Sequence, residues 1–276
     1  MWTAPELLSA LHRTLRKESL IMVKSILITG GSSGIGAALA TTMAERGCTV
    51  VVSGRRHEHL ESVARSSRRI RTHVGDVTKS EVQTKLAEAL SALPAPRAVF
   101  HGAGYFQLGQ LDTLSSDEWH RSLQINLTAR WELSCKCAPH LDGGRILFIG
   151  SDAGANPRIG AAAYSIAQSA SETLRRALQA EWGNRNIAIT GFKPGLVDTD
   201  LVRGFLARSD AEFPSRSDYQ AYLDRGEIAQ PQTVAEFASW LLLDVGIIRF
   251  STSEWDIRQP QHHHEWLNGT LFQSKA

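Results

Sequence analysis

Short apolar runs alternate with longer amphipathic stretches along most of this chain. Residues 23–29 (VKSILIT), 49–53 (TVVVS), 73–77 (HVGDV), 98–101 (AVFH), 144–150 (GRILFIG) and 186–192 (NIAITGF) have the length of strands and are rich in apolar and β-branched residues. They read as buried strands. Between them, residues 37–46, 79–92, 117–138 and 161–182 repeat apolar positions at helical spacing, and 233–243 does so again near the end. Strands alternating with helices predict an α/β domain built on a doubly wound parallel sheet, with helices on both faces. Residues 254–258 (EWDIR) read as a last edge strand.

Two stretches depart from this alternation. In residues 1–22, Thr3-Ala4-Pro5-Glu6 fits a helix start, and Leu7, Leu8, Leu11 and Leu15 recur at helical spacing. The pattern predicts an N-terminal helical extension, with Met22 a second possible start. Residues 200–228 are polar and weakly periodic, with Phe205, Phe213, Tyr219 and Tyr222 interspersed. They suit a mobile lid over a substrate or a plain helical insertion. No repeat or linker divides 23–276, which reads as one domain.

Composition narrows the function by exclusion. A net charge of +2 without a dense Lys/Arg stripe argues against a nucleic-acid partner. No apolar run is long enough to span a membrane. Three cysteines (Cys48, Cys135 and Cys137) make no disulfide framework, so the expected compartment is the cytoplasm. Cys135 and Cys137 lack metal-ligand partners and read as buried or half-buried thiols. His262, His263 and His264 are adjacent, cannot all face one ion, and read as an exposed polar tail; no metal is expected.

The chemistry concentrates at strand ends. Thr29-Gly30-Gly31-Ser32-Ser33-Gly34-Ile35-Gly36 joins the first strand to a helix. Such a turn frees backbone N–H groups and a helix N-terminus for a phosphate. Gly54-Arg55-Arg56 follows the second strand, where a carboxylate would select NADH. Arg55 and Arg56 instead suit the 2′-phosphate of NADPH, or else open a solvated helix that continues with Arg65, Arg68 and Arg69. Asp76 and Val77 suit adenine, through a carboxylate acceptor and a backbone donor. Gly102, Ala103 and Gly104 form a second glycine turn. Asn126, inside an apolar helical run, must bond its amide by capping a kink or ordering a water.

Ser151, Tyr164 and Gln168 complete the set. A tyrosine hydroxyl can give a proton to a carbonyl while a serine holds the same oxygen. Gln168 lies one turn from Tyr164, where a cation would strengthen that acid.

Together these residues resemble the short-chain dehydrogenase/reductase family over about residues 23–243. The resemblance rests on Thr29-Gly-x-x-x-Gly-x-Gly36, Asp76-Val77, Asn126, Ser151, Tyr164 and Pro194-Gly195-x-Val197-x-Thr199. It implies a seven-stranded Rossmann sheet and NADP(H) bound with its nicotinamide held by the Pro194, Gly195, Val197 and Thr199 loop. It implies a homodimer or homotetramer packed through the helices of 117–138 and 161–182. Tyr164 would be the general acid, Ser151 the oxygen-positioning donor, and Asn126 the holder of a relay water. The family's lysine is Gln168 here, its asparagine-rich turn is His101 to Gly104, and the WDIR tail replaces a glycine-rich last strand. Glutamine can still bond a ribose hydroxyl. A lost unit charge at roughly 5 Å is worth about 3 kcal/mol at an effective dielectric of about 20, unless His101 supplies it. The expected reaction is reduction of a small or medium ketone or aldehyde. A non-redox enzyme on this scaffold and a non-catalytic NADP(H)-binding protein are the alternatives.

Overall fold

The chain's structure is a computed structural model that describes residues 23–272. The N-terminal extension predicted over 1–22 lies outside the described residues. The sheet contains β1 (Ser25–Thr29), β2 (Thr49–Gly54), β3 (Ile70–Val74), β4 (Arg97–His101), β5 (Arg145–Ile149), β6 (Ala188–Lys193) and β7 (Trp255–Asp256). Its order is β3-β2-β1-β4-β5-β6-β7, and every pairing is parallel. The helices are α1 (Gly34–Glu45), α2 (His57–Ala64), α3 (Ser80–Ser91), α4 (Ser116–Leu123), α5 (Ala129–Cys137) and α6 (Ala162–Trp182). They continue with α7 (Asp200–Leu206), α8 (Arg216–Asp224), α9 (Pro231–Leu243), α10 (Ile247–Thr252) and α11 (His263–Trp266). This is the single-domain Rossmann architecture that the alternating pattern predicts. None of the described helices is long and apolar enough to cross a membrane.

Period-two alternation divides the core into two layers. Ile26, Ile28, Val50, Val52 and Phe100 face one side, where Leu39 and Met43 of α1 and Phe237 and Leu241 of α9 cover them. Leu27, Val51, Val99, Ile146 and Phe148 face the other, against Leu86 and Leu90 of α3, Leu133 of α5, and Leu178 and Trp182 of α6. Each such side chain contributes roughly 1.5–3 kcal/mol by leaving water. Chain direction across the sheet reverses between β1 and β4. A crevice opens there at the carboxyl ends of the strands.

Four expectations change. The third strand lies at Ile70–Val74 and not at 73–77. It is an edge strand, half-exposed and carrying Arg71 and His73, so its apolar signal is weak. Gly75 N still donates to Gly54 O at 2.9 Å, and the chain then turns away, with Asp76 Oδ1 accepting from Thr78 N at 3.0 Å. The helix predicted over 117–138 is two helices, joined by a π-helical turn at Gln124–Thr128 too short to register in sequence periodicity. Cys137 is buried, but Cys135 is exposed.

The histidines of the tail are not all exposed. His262 is buried, stacked on Phe237 with ring centroids 5.0 Å apart. Its Nδ1 accepts from Trp266 Nε1 at 3.0 Å, so the proton sits on Nε2, which donates to Asp256 O at 3.0 Å. His263 bonds Ile257 O at 2.7 Å. No cluster of three or more metal-ligating side chains occurs among the described residues.

Candidate active site

The two glycine turns interlock at the switch point. Gly30 adopts φ +70°, and a Cβ there would stand 2.6 Å from Gly102 O. A Cβ on Gly36 would lie 2.4 Å from Gly30 O, so only glycine lets α1 start this close to β1. Thr29 Oγ1 ties the turns together by accepting from Gly102 N and Ala103 N, both at 3.2 Å. Ser33 is the N-cap of α1 but makes no side-chain cap, and the first turn holds no acid. Orphan N–H groups and a positive helix end therefore face the crevice beside Ser32, Gly34 and Ile35. A pyrophosphate fits this cradle.

Beyond it lie the residues suited to the far end of a dinucleotide. Arg56 Nη2 donates to Ser33 Oγ at 2.6 Å and to Ser32 Oγ at 3.3 Å. Arg55 lines the same cleft, as do Asp76 and Val77. Partial burial pushes the Asp76 carboxyl up, but the Thr78 backbone and hydroxyl donors and the nearby Arg55 outweigh it, and the group stays below the usual carboxylate range. At the opposite end, Pro194, Gly195, Val197 and Thr199 line the cleft. Gly195 adopts φ +66°, and Thr199 caps α7 by accepting from Val202 N at 3.4 Å.

β5 delivers Ser151 to the crevice, and Tyr164 stands in the first turn of α6. Tyr164 and Ser151 line the same cleft, and Ser151 Oγ accepts from Ala153 N at 3.2 Å. Burial pushes the Tyr164 hydroxyl above its ordinary range; the Ser151 hydroxyl and the Arg130 charge oppose this without cancelling it. One turn along, Gln168 is 5% exposed, yet its Oε1 finds no hydrogen-bond partner. Gln168 lines the cleft, and a ribose hydroxyl bound there would satisfy that acceptor.

Asn126 sits in the π-helical turn. Its Oδ1 accepts from Tyr105 N at 3.0 Å and its Nδ2 donates to Tyr105 O at 2.7 Å. The amide thus pins the chain leaving the Gly102–Gly104 turn. His101 does not supply the missing charge. It is 1% exposed, bonds Ser134 Oγ at 2.8 Å, and burial followed by the nearby Arg130 pushes its pKa down to about 3, so the ring is neutral.

Sequence reasoning passed over two features. Arg130, in the first turn of α5, lines the cleft as a buried guanidinium. The one signal for it was spacing: it lies four residues after Asn126, hence on the same helical face. The second is Phe106, which builds an aromatic wall with Phe205 and Tyr219 of the 200–228 stretch. Phe106 packs on Tyr164 at 4.7 Å and on Phe205 at 4.7 Å, and Phe205 packs on Tyr219 at 4.9 Å between ring centroids. Together the cofactor cradle and this wall enclose a cleft of about 380 Å³.

The comparisons agree with this geometry. Residues 24–209 match the family model described as short chain dehydrogenase. The chain is similar to a 3-oxoacyl-acyl-carrier-protein reductase of Pseudomonas aeruginosa, 29% identical over 80% of this chain and 90% of that protein. It is also similar to 2,3-dihydro-2,3-dihydroxybenzoate dehydrogenase of Escherichia coli, 26% identical over 80% and 90% respectively. Among solved structures, an actinorhodin polyketide ketoreductase with NADPH superposes with a TM-score of 0.75, at 23% identity, over 85% of this chain and 95% of that one. With two-thirds of its length under the family model and these oxidoreductases as relatives, the chain belongs to the short-chain dehydrogenase family.

Proposed function

We propose that the chain is an NADPH-dependent reductase of ketones or aldehydes that carry an apolar, aromatic-sized group. The observation that carries this reading is that Tyr164 and Ser151 line the same cleft as the glycine cradle. When bound, NADPH supplies a hydride to the carbonyl carbon. Tyr164 donates its hydroxyl proton to the carbonyl oxygen, and Ser151 Oγ donates a hydrogen bond to that same oxygen. Ser151 has the capacity for both jobs, since a hydroxyl accepts twice and donates once. Gln168 holds a ribose hydroxyl through its unpaired Oε1. Arg55 and Arg56 hold the 2′-phosphate; Arg56, already on Ser32 and Ser33, presents its guanidinium beside the cradle. Residues 200–228 cover the substrate: Leu201, Val202, Phe205 and Tyr219 line the cleft opposite the cradle.

The test is NADPH consumption across a panel of aromatic and aliphatic ketones and aldehydes, run beside NADPH and NADH binding titrations. Tyr164→Phe is expected to lower kcat by roughly 10²–10⁴-fold, the usual worth of a positioned acid, while NADPH still binds. Equal affinity for NADPH and NADH would remove Arg55 and Arg56 from the proposal. Substrate turnover without NADPH consumption would replace reduction with non-redox acid–base chemistry at Ser151 and Tyr164.

A further inference from the structure

We propose that Arg130 is the cation serving Tyr164, so that the two tasks of the family's lysine are divided here between Arg130 and Gln168. The inference rests on the reductase reading of the site. It begins with where Arg130 is held. Its Nη1 donates to Ile149 O and to Ser171 Oγ, both at 3.0 Å, and its Nη2 donates to Ala103 O at 3.3 Å. Ile149 lies two residues before Ser151, Ser171 lies three after Gln168, and Ala103 belongs to the second glycine turn. The guanidinium is thus clamped among the three chain segments that bring Ser151, Gln168 and the cradle together.

No described carboxylate balances this charge. Arg130 is 3% exposed, and no carboxylate pairs with it among the described salt bridges. A buried cation met only by neutral acceptors is expensive, and a packing role would be met more cheaply by an apolar side chain. Burial pushes its pKa down to about 10, with Tyr164 opposing, so it remains charged at neutral pH. Two polar atoms in this corner are unpaired: Arg130 Nε, a donor, and Gln168 Oε1, an acceptor. Both residues line the cleft. A hydroxyl, which donates and accepts, is complementary to that pair.

A guanidinium that lines the same cleft as Tyr164 leaves the acid with a cation where Gln168 supplies none. Arginine suits the place because it stays charged when buried and its fork reaches several acceptors. The other polar and titratable groups at this end of the cleft are Ser151, Asp152 and Tyr219, with Arg158 over the Tyr219 ring at 5.6 Å. Arg130 acts on the proton; Gln168 acts on the sugar.

The test is ultraviolet titration of tyrosinate in the full chain, with Tyr164→Phe identifying which transition belongs to Tyr164. Arg130→Met is expected to raise that midpoint by about one to two units. Arg130→Lys is expected to leave it within about half a unit. Arg130→Met combined with Gln168→Lys is expected to restore it, together with kcat for carbonyl reduction, which a purely structural arginine would not allow. An unchanged midpoint in folded Arg130→Met, or no recovery in the double variant, overturns the inference. A shifted midpoint in a protein that never consumes NADPH overturns the reductase reading and leaves the Arg130–Tyr164 coupling standing. Should Arg130→Met fail to fold, a crystal structure of the native protein decides: a guanidinium beyond the ~4–6 Å over which a charge moves a pKa refutes it.

Discussion

His101 shows how far one residue's setting can depart from its sequence neighbourhood. It ends β4, beside the glycine turn, where a protonated ring could have stood near Tyr164. Its ring instead packs on Phe148, 4.6 Å between centroids, with its Nε2 bonded to Ser134 Oγ. Ser134 Oγ donates onward to Arg130 O at 2.7 Å, so His101 is the donor to Ser134 and carries its proton on Nε2. The sign of the consequence is fixed by the direction of the shift. Burial lowers the folded pKa to about 3 from 6.5, so on acidification the unfolded chain takes the proton first. The stability that His101 contributes is complete above about 6.5 and is lost progressively toward about 3. The slope is at most about 1.4 kcal/mol per pH unit. Thermal unfolding followed across this range is expected to fall with pH in the native chain and to fall less steeply in His101→Gln. Parallel slopes in the two proteins would refute the assignment.

At the scale of elements, legibility followed burial. Strands β1, β2, β4 and β5 are buried over nearly their whole length, and their apolar runs announce them. Edge strand β3 has one neighbour and a mixed face, so its residues resemble a loop and its bounds shifted by three. The π-helical turn at Asn126 was invisible because it spans only five residues between two α-helices, too few to mark the apolar pattern. Arg145 is the other element-scale surprise. A charged side chain inside β5 reads as a solvent-facing position, yet it is 2% exposed. Its Nη1 donates to Leu241 O at 2.6 Å and its Nη2 to Val245 O at 2.7 Å, capping the carboxyl end of α9 with a cation where the helix dipole favours one. Removing it strands two buried carbonyls and opens a cavity against Phe250, over whose ring it lies at 4.7 Å. Arg145→Met is therefore expected to cost about 2–5 kcal/mol in urea unfolding, at unchanged m-value. Arg145→Lys should recover part of the loss, since one ammonium cannot span both carbonyls as the fork does. A cost under about 1 kcal/mol would show that the cap is not needed.

Across the whole molecule, the cofactor side of the cleft was readable because its parts are local: glycines, arginines and a strand-end acid, each next to its own strand. The proton side was not, because Arg130 acts through acceptors 19, 27 and 41 residues away in the chain. The C-terminal tail poses the same problem over a longer reach. Arg258 Nη1 approaches Asp152 Oδ2 at 2.8 Å, beside Ser151, and its Nε donates to Asp256 Oδ1 at 2.8 Å. Its Cδ lies 3.4 Å from where a Cβ on Gly195 would stand. One side chain thus lies against both the Ser151 loop and the Pro194–Thr199 loop. With both carboxylates half-buried, its worth lies more in geometry than in stability. Arg258→Ala is accordingly expected to lower kcat/KM about tenfold or more while shifting Tm by no more than ~4 °C, because small misplacements of reacting groups are costly. Hydrogen exchange should quicken at Ala153 to Asn156. Asp152→Asn should reproduce the loss, and the double variant should add little to either single one, since both remove the same contact. Additive losses would mean that Arg258 and Asp152 act separately, and that the tail reaches the site by another route.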